Sequence, residues 1–351
     1  MSHETDLTPA EIRQAHSTHA KLRARDLAAK LGIREAQLVA AFAGQTATRI
    51  ASHPDEVMAA AQKLGPVMAL TRNESCVHEV TGIYQGYYSG AHACMVLGPV
   101  VDLRLFPSHW HYGFAVEKDT GQGVQRSLQI FDTAGDAIHK IYLTLESSQA
   151  VWAEVVAALA QADQSQTLTP EPRKPTEAAK SALNKCEALR KEWGRMTDTH
   201  QFLRLTSKLK MNRLGAYRIA GDPFVRPLPV QAVDQMLNLV KADGLEVMLF
   251  VGNRGCIQIH TGPIGSLTPM GPWQNVTDPE FNLHLRLDHV KEVWCVNKPT
   301  QRGTAVSVEA FDADGGLIFQ IFGLSKEGRD SRPAWQVIVD QLPTLTQQGA
   351  A

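Results

Sequence analysis

Alternating apolar and polar positions recur along the chain and predict β-strands. The segment VDLRLF at 101–106 alternates in this way, as a strand with one buried face does. FDTAGDAI at 131–138 and FDADGGLI at 311–318 place Asp and Gly between two apolar runs, which is typical of a tight β-hairpin. These runs predict sheets built from short, sequentially adjacent strands.

Apolar residues at helical spacing predict two pairs of helices, and each pair is followed by strands. The first pair covers residues 21–30 and 35–43, and the second covers 199–209 and 212–220. Because helices precede strands without regular β-α-β alternation, the pattern predicts an α+β fold in which each half has N-terminal helices and a large antiparallel sheet.

The two halves of the chain resemble each other at a constant offset of 180 residues. Residues 101–116 align with 281–296, and residues 128–143 align with 308–323 without a gap between the blocks. The matched pairs include Leu103 with Leu283, Leu105 with Leu285, His109 with His289, Phe131 with Phe311, Asp132 with Asp312 and Gly135 with Gly315. We therefore predict a tandem repeat, with a first repeat at 1–162, a Pro-rich linker at 163–177 and a second repeat at 178–351.

Composition narrows the class of protein. The chain has 351 residues, 44% of them hydrophobic, and a net charge of −1, so a nucleic-acid partner is not expected from charge. No apolar run is long enough to predict a membrane span, and residues 1–16 lack the pattern of a signal peptide. The five cysteines show no CxxC spacing. A reducing, cytoplasmic location is therefore expected.

The first helical pair permits a second interpretation. Residues 22–41 read as a helix, a turn at Gly32 and a second helix, which is the pattern of a DNA-binding helix-turn-helix. A transcriptional regulator is therefore the alternative function. Two features favour packing against a sheet instead: the second helix has no basic excess, and the pair recurs at 205–221.

The segment MTDTHQF at 196–202 places a histidine at the start of the third predicted helix. Phe202, Leu205 and Thr206 form the apolar stripe of that helix, and His200 falls on the opposite side. One interpretation is a solvated surface histidine. The other is an axial ligand of heme, whose iron takes an imidazole and whose propionates take Arg or Lys, here Arg213 on the next helix.

Several segments together resemble the bacterial heme-utilisation family of the HemS/ChuS type, often called hemin-degrading factors. They are MTDTHQF with Arg213 thirteen residues after its histidine, TRNESCVHEVTGIY (71–84), VDLRLFPSHWHYGF (101–114), NKPTQRGTAVSVEAFDADG (297–315) and QIFG (320–323). The resemblance covers roughly residues 10–340. It implies two structural repeats with stacked antiparallel sheets, and heme b (iron protoporphyrin IX) in a cleft between them.

The resemblance also implies the roles of individual residues. His200 would be the axial iron ligand, and Arg104 would cover the distal side and act in catalysis if the protein is an enzyme. The remaining residues implied at the heme are Phe106, Arg213, Phe250, Lys298, Phe319 and Gln320. Ser325 stands where the family commonly has an arginine, so a contact to heme is either missing or supplied by Lys326 or Arg329. Phe319 stands where the resemblance implies a tyrosine, which would remove a hydroxyl donor from the pocket.

The function implied is heme trafficking, oxidative heme degradation that releases iron, or both. A heme oxygenase or another heme acceptor, and an inner-membrane heme importer, would be the partners. Other histidines carry weaker expectations. His78 is an alternative ligand in the first repeat, His109 and His111 have the spacing of a metal-binding pair on one strand, and His139 is expected at the surface.

Overall fold

The computed structural model describes residues 7–326 and 328–345. By their internal contacts, the residues form two compact units. The first unit comprises Met1–Arg72, His78–Lys174 and Gly252–Gln258, and the second comprises Asn73–Val77, Pro175–Val251 and Ile259–Ala351. The predicted repeat boundaries at 162 and 178 stay a prediction.

The first half of the chain contains five α-helices and nine strands among its described residues. The helices are α1 (Pro9–Thr18), α2 (Ala24–Leu31), α3 (Glu35–Ala40), α4 (Pro54–Lys63) and α5 (Trp152–Leu159). The strands are β1 (Ala47–Ile50), β2 (Val67–Arg72), β3 (Cys76–Gly82), β4 (Tyr87–Tyr88), β5 (Cys94–Leu97), β6 (Asp102–Leu105), β7 (Tyr112–Asp119), β8 (Val124–Phe131) and β9 (Ala137–Leu143).

The second half repeats this order of elements. The helices are α6 (Cys186–Trp193), α7 (Gln201–Lys208), α8 (Arg213–Ala220), α9 (Ala232–Ala242) and α10 (Arg332–Gln341). The strands are β10 (Val225–Leu228), β11 (Val247–Gly252), β12 (Cys256–Gly262), β13 (Thr268–Met270), β14 (Trp273–Thr277), β15 (Phe281–Arg286), β16 (Glu292–Thr300), β17 (Gly303–Phe311), β18 (Leu317–Gly323), β19 (Ser325–Lys326) and β20 (Arg329–Asp330).

Each half has one large sheet with the same strand order. In the first half six strands are hydrogen-bonded in the order β1-β7-β8-β9-β2-β3, and in the second half the order is β10-β16-β17-β18-β11-β12. The pairs β1·β7, β7·β8, β8·β9 and β2·β9 are antiparallel. The corresponding pairs β10·β16, β16·β17, β17·β18 and β11·β18 are antiparallel as well. The predicted α+β fold with large antiparallel sheets is confirmed.

The local geometry supports the duplication at single-residue resolution. The register of β8·β9 shifts between Ile130 and Phe131, and that of β17·β18 shifts at the equivalent step, between Ala310 and Phe311. The turn after α2 has Gly32 in the left-handed region with φ of 69°, and the turn after α7 has Lys210 at φ of 62°. The two halves therefore share one backbone plan, although a lysine occupies the strained turn position in the second.

Helices cover both faces of each large sheet. In the first unit, α4 and α5 pack on one face through Val57, Met58 and Trp152, and α3 packs on the other against Phe114 and Phe131. In the second unit, α9 and α10 contribute Met236 and Trp335 to one core. Helices α6, α7 and α8 form the other, with Trp193, Phe202 and Tyr217 packed against Trp294.

Burial of α3 argues against the helix-turn-helix alternative. The helix has six residues, and five of them are buried: Glu35, Ala36, Leu38, Val39 and Ala40. A recognition helix must present its side chains to the edges of the bases in the major groove. This helix instead buries Ala36, Val39 and Ala40 against the sheet and Leu38 against α1 and α2.

The predicted linker is held against the first unit over part of its length. The Arg49 side chain contacts Asp163 and the carbonyl of Thr167, and the backbone N–H of Arg49 donates to the Gln164 side chain. Arg173 forms a two-pronged ion pair with Asp136. This part of the predicted linker therefore packs along the edge of the sheet and does not act as a flexible spacer, despite its prolines. Among residues 7–326 and 328–345, no helix combines the length and apolar character that a membrane crossing requires.

The strained turn after α7 leads to a stability prediction. Replacing Lys210 by Gly removes the steric cost of a left-handed lysine, so we expect Lys210→Gly to stabilise the protein by up to about 1 kcal/mol. The matched change Gly32→Lys should destabilise it by about 1 kcal/mol, or somewhat more. Urea unfolding of both variants checks this. A Lys210→Gly protein that unfolds at lower urea than wild type would contradict it.

Candidate functional site

His200 lies at the surface and is held by its own neighbour in sequence. It is the residue before α7, its side chain is 92% exposed, and its backbone is already helical. The imidazole Nδ1 lies 2.6 Å from Asp198 Oδ1, and the His200 backbone N–H donates to the same oxygen over 2.8 Å. Hydrogen bonds from the backbone and the side chain of His200 lower the pKa of Asp198, so the carboxylate accepts and Nδ1 carries the proton. Nε2 is then left with a free lone pair that points away from this contact.

Helix α7 separates an apolar face from an exposed one, as the sequence predicts. Phe202, Leu205 and Thr206 are buried, whereas Leu203 is 55% exposed and Arg204 is exposed. The Phe202 ring packs on Trp193 and Tyr217, with ring centroids 4.5 and 5.5 Å apart. The prediction that His200 lies off the apolar stripe is confirmed by its exposure.

Behind α7 lies a buried ionic cluster that joins α8 to the large sheet. Glu309 on β17 is fully buried and accepts hydrogen bonds from Lys298 Nζ at 2.7 Å, Arg213 at 2.9 Å and the Tyr217 hydroxyl at 2.9 Å. Ser307 donates to the same carboxylate over 2.9 Å. Both predicted carboxylate-binding residues, Arg213 and Lys298, are thus brought together, but around a protein carboxylate.

Charge balance sets the protonation of this cluster. Burial alone would raise the pKa of Glu309, but the adjacent charges of Lys298 and Arg213 outweigh burial and hold it well below its usual range. Burial and the same carboxylate raise the pKa of Tyr217, which stays a neutral donor. Lys298 is 3% exposed and its Nζ lies 5.1 Å from the centre of the Phe202 ring. It is therefore enclosed beneath α7, and its predicted contact with a propionate stays a prediction.

Beside the cluster, one face of the sheet is only partly covered. Phe250 on β11 pairs with Gln320 on β18, and Gln320 also pairs with Glu309 on β17, so these side chains share a face. Phe322 lies on the same face, and its ring centroid is 5.4 Å from that of Phe250. Phe250, Gln320 and Phe322 are all half-buried.

Phe319 does not belong to this face. It precedes Gln320 in β18 and therefore points to the opposite side of the sheet, where it is 2% exposed in the core with α9 and α10. The predicted wall of Phe250, Phe319 and Gln320 is thus corrected to Phe250, Gln320 and Phe322. The expected departure from the family at position 319 therefore lies in the core, away from this face.

The predicted distal residues lie in the first unit. Arg104 on β6 forms an ion pair with Asp102 and also donates to the Leu103 carbonyl. Phe106 is half-buried just beyond the strand. Leu103 and Leu105, which alternate with them, are wholly buried, so Arg104 and Phe106 share one face as predicted. Their roles toward a ligand stay predictions.

The other histidines are placed differently from expectation. His139 is 1% exposed, not at the surface: its ring nitrogens hydrogen-bond to the Thr71 and Tyr84 hydroxyls, and burial lowers its pKa to about 3. His78 is wholly buried in β3. His109 ends a 3-10 turn and His111 lies between that turn and β7, so they are not two positions of one strand. Within the described ranges, no three His, Cys, Asp or Glu side chains cluster as a metal site.

Sequence reasoning missed three residues of this site. Asp198 was not predicted to contact His200, although its spacing of two residues permits the contact seen here. Glu309 could not be recognised, because the strand register that places it beneath α8 is set by pairing with β16 and β18. Phe322 carried a usable signal, since it follows Gln320 by two residues and must share its face.

A duplicated α+β fold in which one half carries an exposed, carboxylate-held histidine defines the class of protein. The family pattern of the Haemin-degrading HemS.ChuX domain matches residues 32–159 and 210–342. The hemin transport protein HmuS of Yersinia pestis is 36% identical over 330 residues, which cover 94% of this chain and 95% of that protein. The chain belongs to the HemS family, which confirms the resemblance.

Two solved structures agree over nearly the whole chain. Holo-PhuS, a heme-binding protein from Pseudomonas aeruginosa, is 39% identical with a TM-score of 0.91, and the match covers 97% of this chain and all of that one. ChuS, described as an E. coli heme oxygenase, is 33% identical with a TM-score of 0.84, and the match covers 94% of this chain and 99% of that one. This chain and the two solved structures therefore share the duplicated fold over nearly their full lengths.

The ionic cluster leads to the second prediction. Glu309→Gln leaves the buried Lys298 and the partly buried Arg213 without a counter-charge, so we expect a loss of about 3–5 kcal/mol in the free energy of unfolding at pH 7. Since Glu309 has a lowered pKa in the folded state, its contribution is complete above the unfolded value near 4.3 and fades as pH falls further. Urea unfolding from pH 7 to 3 should therefore show the gap between wild type and variant narrowing below about pH 4.

The matched control is Glu292→Gln, which breaks a more exposed ion pair with Arg218. That change should cost less than about 1 kcal/mol, with little dependence on pH in the same range. Equal losses for the two variants would show that Glu309 does not hold the cluster together.

Proposed function

We propose that this protein binds heme, with His200 as the axial ligand of the iron. One observation carries the proposal: Asp198 holds the imidazole by Nδ1 and leaves Nε2 as the only nitrogen available to a metal. A metal-bound histidine almost always donates its other ring N–H to a carboxylate, a carbonyl or water, which fixes its tautomer and raises its basicity. Here that partner is in place on an imidazole that is 92% exposed.

The surroundings of His200 fit a porphyrin. The ligand is planar and mostly apolar, with two carboxylates at one edge, so it needs apolar contacts and cations around the imidazole. Leu203 is exposed one turn from His200. We propose that the half-buried face of Phe250 and Phe322, which belongs to the same unit, contacts the porphyrin as well. Arg213 is 22% exposed on its side chain and retains guanidinium donors beyond the bond to Glu309.

Bound heme would supply redox chemistry at iron, and the protein would orient it and control access to it. Relatives described as a hemin transport protein and as a heme oxygenase point to the two uses of such a site. We propose trafficking as the main role, because His200 sits on an open helix end from which a ligand can be released. Arg104 stays the candidate for a distal, catalytic role if the protein also degrades heme.

The cellular role follows from the same proposal. The protein would receive heme from an inner-membrane importer in the cytoplasm and pass it to a heme oxygenase or another acceptor. Hemin transport is the activity named for the Yersinia relative, which supports a place in heme uptake and iron utilisation. The importer and the acceptor are part of the proposal.

The third prediction tests the ligand. In His200→Ala the iron loses its axial imidazole, so the Soret band of the hemin complex should shift, the spin state should change, and affinity should fall. Visible and resonance Raman spectra with a hemin titration measure this. The control is His92→Ala, which removes another exposed histidine and should leave spectrum and affinity as in wild type. An unchanged His200→Ala complex together with an altered His78→Ala complex would place the ligand in the first half.

The fourth prediction separates trafficking from degradation. The hemin complex is incubated with ascorbate in air, with and without catalase, while the Soret band and the products are followed. We expect the band to decay mainly through free hydrogen peroxide, so catalase should suppress the decay. Heme should move to added apomyoglobin, because the site is open. Decay that resists catalase and yields one defined tetrapyrrole would instead show a heme-degrading enzyme.

A further inference from the structure

Arg204 lies on the same exposed face of α7 as His200. The backbone of His200 is helical, so four residues place Arg204 about 40° around the axis and about 6 Å along it. Leu203, at 55% exposure, lies about 60° to the other side of His200 and about 4.5 Å along the axis. On the exposed surface of α7 the imidazole is therefore flanked by an apolar side chain on one side and a guanidinium on the other.

Arg204 has no role in the fold that the structure shows. Among residues 7–326 and 328–345, its guanidinium makes no ion pair or hydrogen bond, in contrast to Arg213, Arg218 and Arg190, which each bind a carboxylate or carbonyl oxygen. An exposed arginine on a helix contributes little to folding by itself. Its guanidinium is free to bind a carboxylate that arrives with a ligand.

The buried cluster behind α7 does not carry enough charge for a ligand with two carboxylates. Lys298, Arg213 and Glu309 together leave a single positive charge. Lys298 also lies against Phe202, which is about 160° around the helix from His200, so it faces the buried side of α7. A further cation on the exposed side would complete the balance.

We propose that Arg204 is a further carboxylate-binding residue of the His200 site and selects for porphyrins with ionised propionates. The inference rests on the proposed heme binding at His200. It adds a residue that pairs with one propionate while Arg213 faces the other. Arg204 acts on affinity and ligand selection, and the iron spectrum is set by His200.

The test compares hemin with its dimethyl ester, which lacks the charged carboxylates. In Arg204→Ala, hemin affinity should fall roughly three- to tenfold, the low end for a charge-assisted hydrogen bond because the side chain is exposed. Affinity for the dimethyl ester should be unchanged, and the Soret position of the hemin complex should match wild type. Arg204→Lys should recover part of the loss, since it keeps the charge but loses the two-pronged geometry.

Lys208→Ala is the matched control. Lys208 is an exposed cation on the same helix, but it is about 12 Å along the axis from His200 and should not affect hemin affinity. Equal affinity of wild type and Arg204→Ala for hemin would overturn the proposal, as would equal losses for hemin and the ester. If His200→Ala leaves hemin binding unaltered, the proposed axial ligation itself fails, and that result is distinct from a failure confined to Arg204.

Discussion

Glu309 is a fully buried carboxylate that ties α8 to the large sheet. It stands on β17 and accepts hydrogen bonds from Arg213 and Tyr217 of α8 and from Lys298 of β16. Removing a charge of this kind from water costs several kcal/mol, and only a full set of partners compensates. Because Arg213 is the first residue of α8, the same contact fixes where that helix begins on the sheet. The turn from α7, and with it the position of His200, follows from that anchor.

The first unit uses the same construction with the charges reversed. Glu35 is the first residue of α3 and forms a buried ion pair with Lys140 of β9 over 2.5 Å. By the repeat offsets, Glu35 corresponds to Arg213 and Lys140 corresponds to Gln320. Both halves therefore link the start of a helix to the sheet by an ion pair, with the charges reversed and on different strands. Leu22, which corresponds to His200, has no metal-binding atom, so this construction serves as scaffold in one half and carries the candidate ligand in the other.

Elements that depend on local periodicity could be predicted, whereas side-chain environments set by strand register could not. The helices at 201–208 and 213–220 and the hairpin at 311–318 follow from spacing and turn residues over short segments. His139 and Phe319 occupy equivalent positions in the two halves, and both lie in the core. His139 was expected at the surface because a polar side chain usually lies there, but hydrogen bonds to Thr71 and Tyr84 satisfy it inside.

Lys298 shows the same limit at the candidate site. When only the sequence is known, a basic residue such as Lys298 is readily assigned to an anionic ligand. Lys298 is already neutralised by Glu309, which lies eleven residues later on the neighbouring strand. No local sequence pattern indicates that the pairing of β16 with β17 brings these two residues together. Asp198 is the opposite case, because it lies only two residues before His200. Both partners of that hydrogen bond lie within the segment MTDTHQF.

The hydrogen bond between Asp198 and His200 contributes little to the stability of the fold. Both side chains are largely exposed, at 57% and 92%, and exposed ion pairs are screened by water and salt. Its consequence is chemical: the imidazole is ordered, one nitrogen is occupied by the carboxylate, and the other is open to a ligand. A surface that orders an imidazole without burying it can bind a metal complex and also release it.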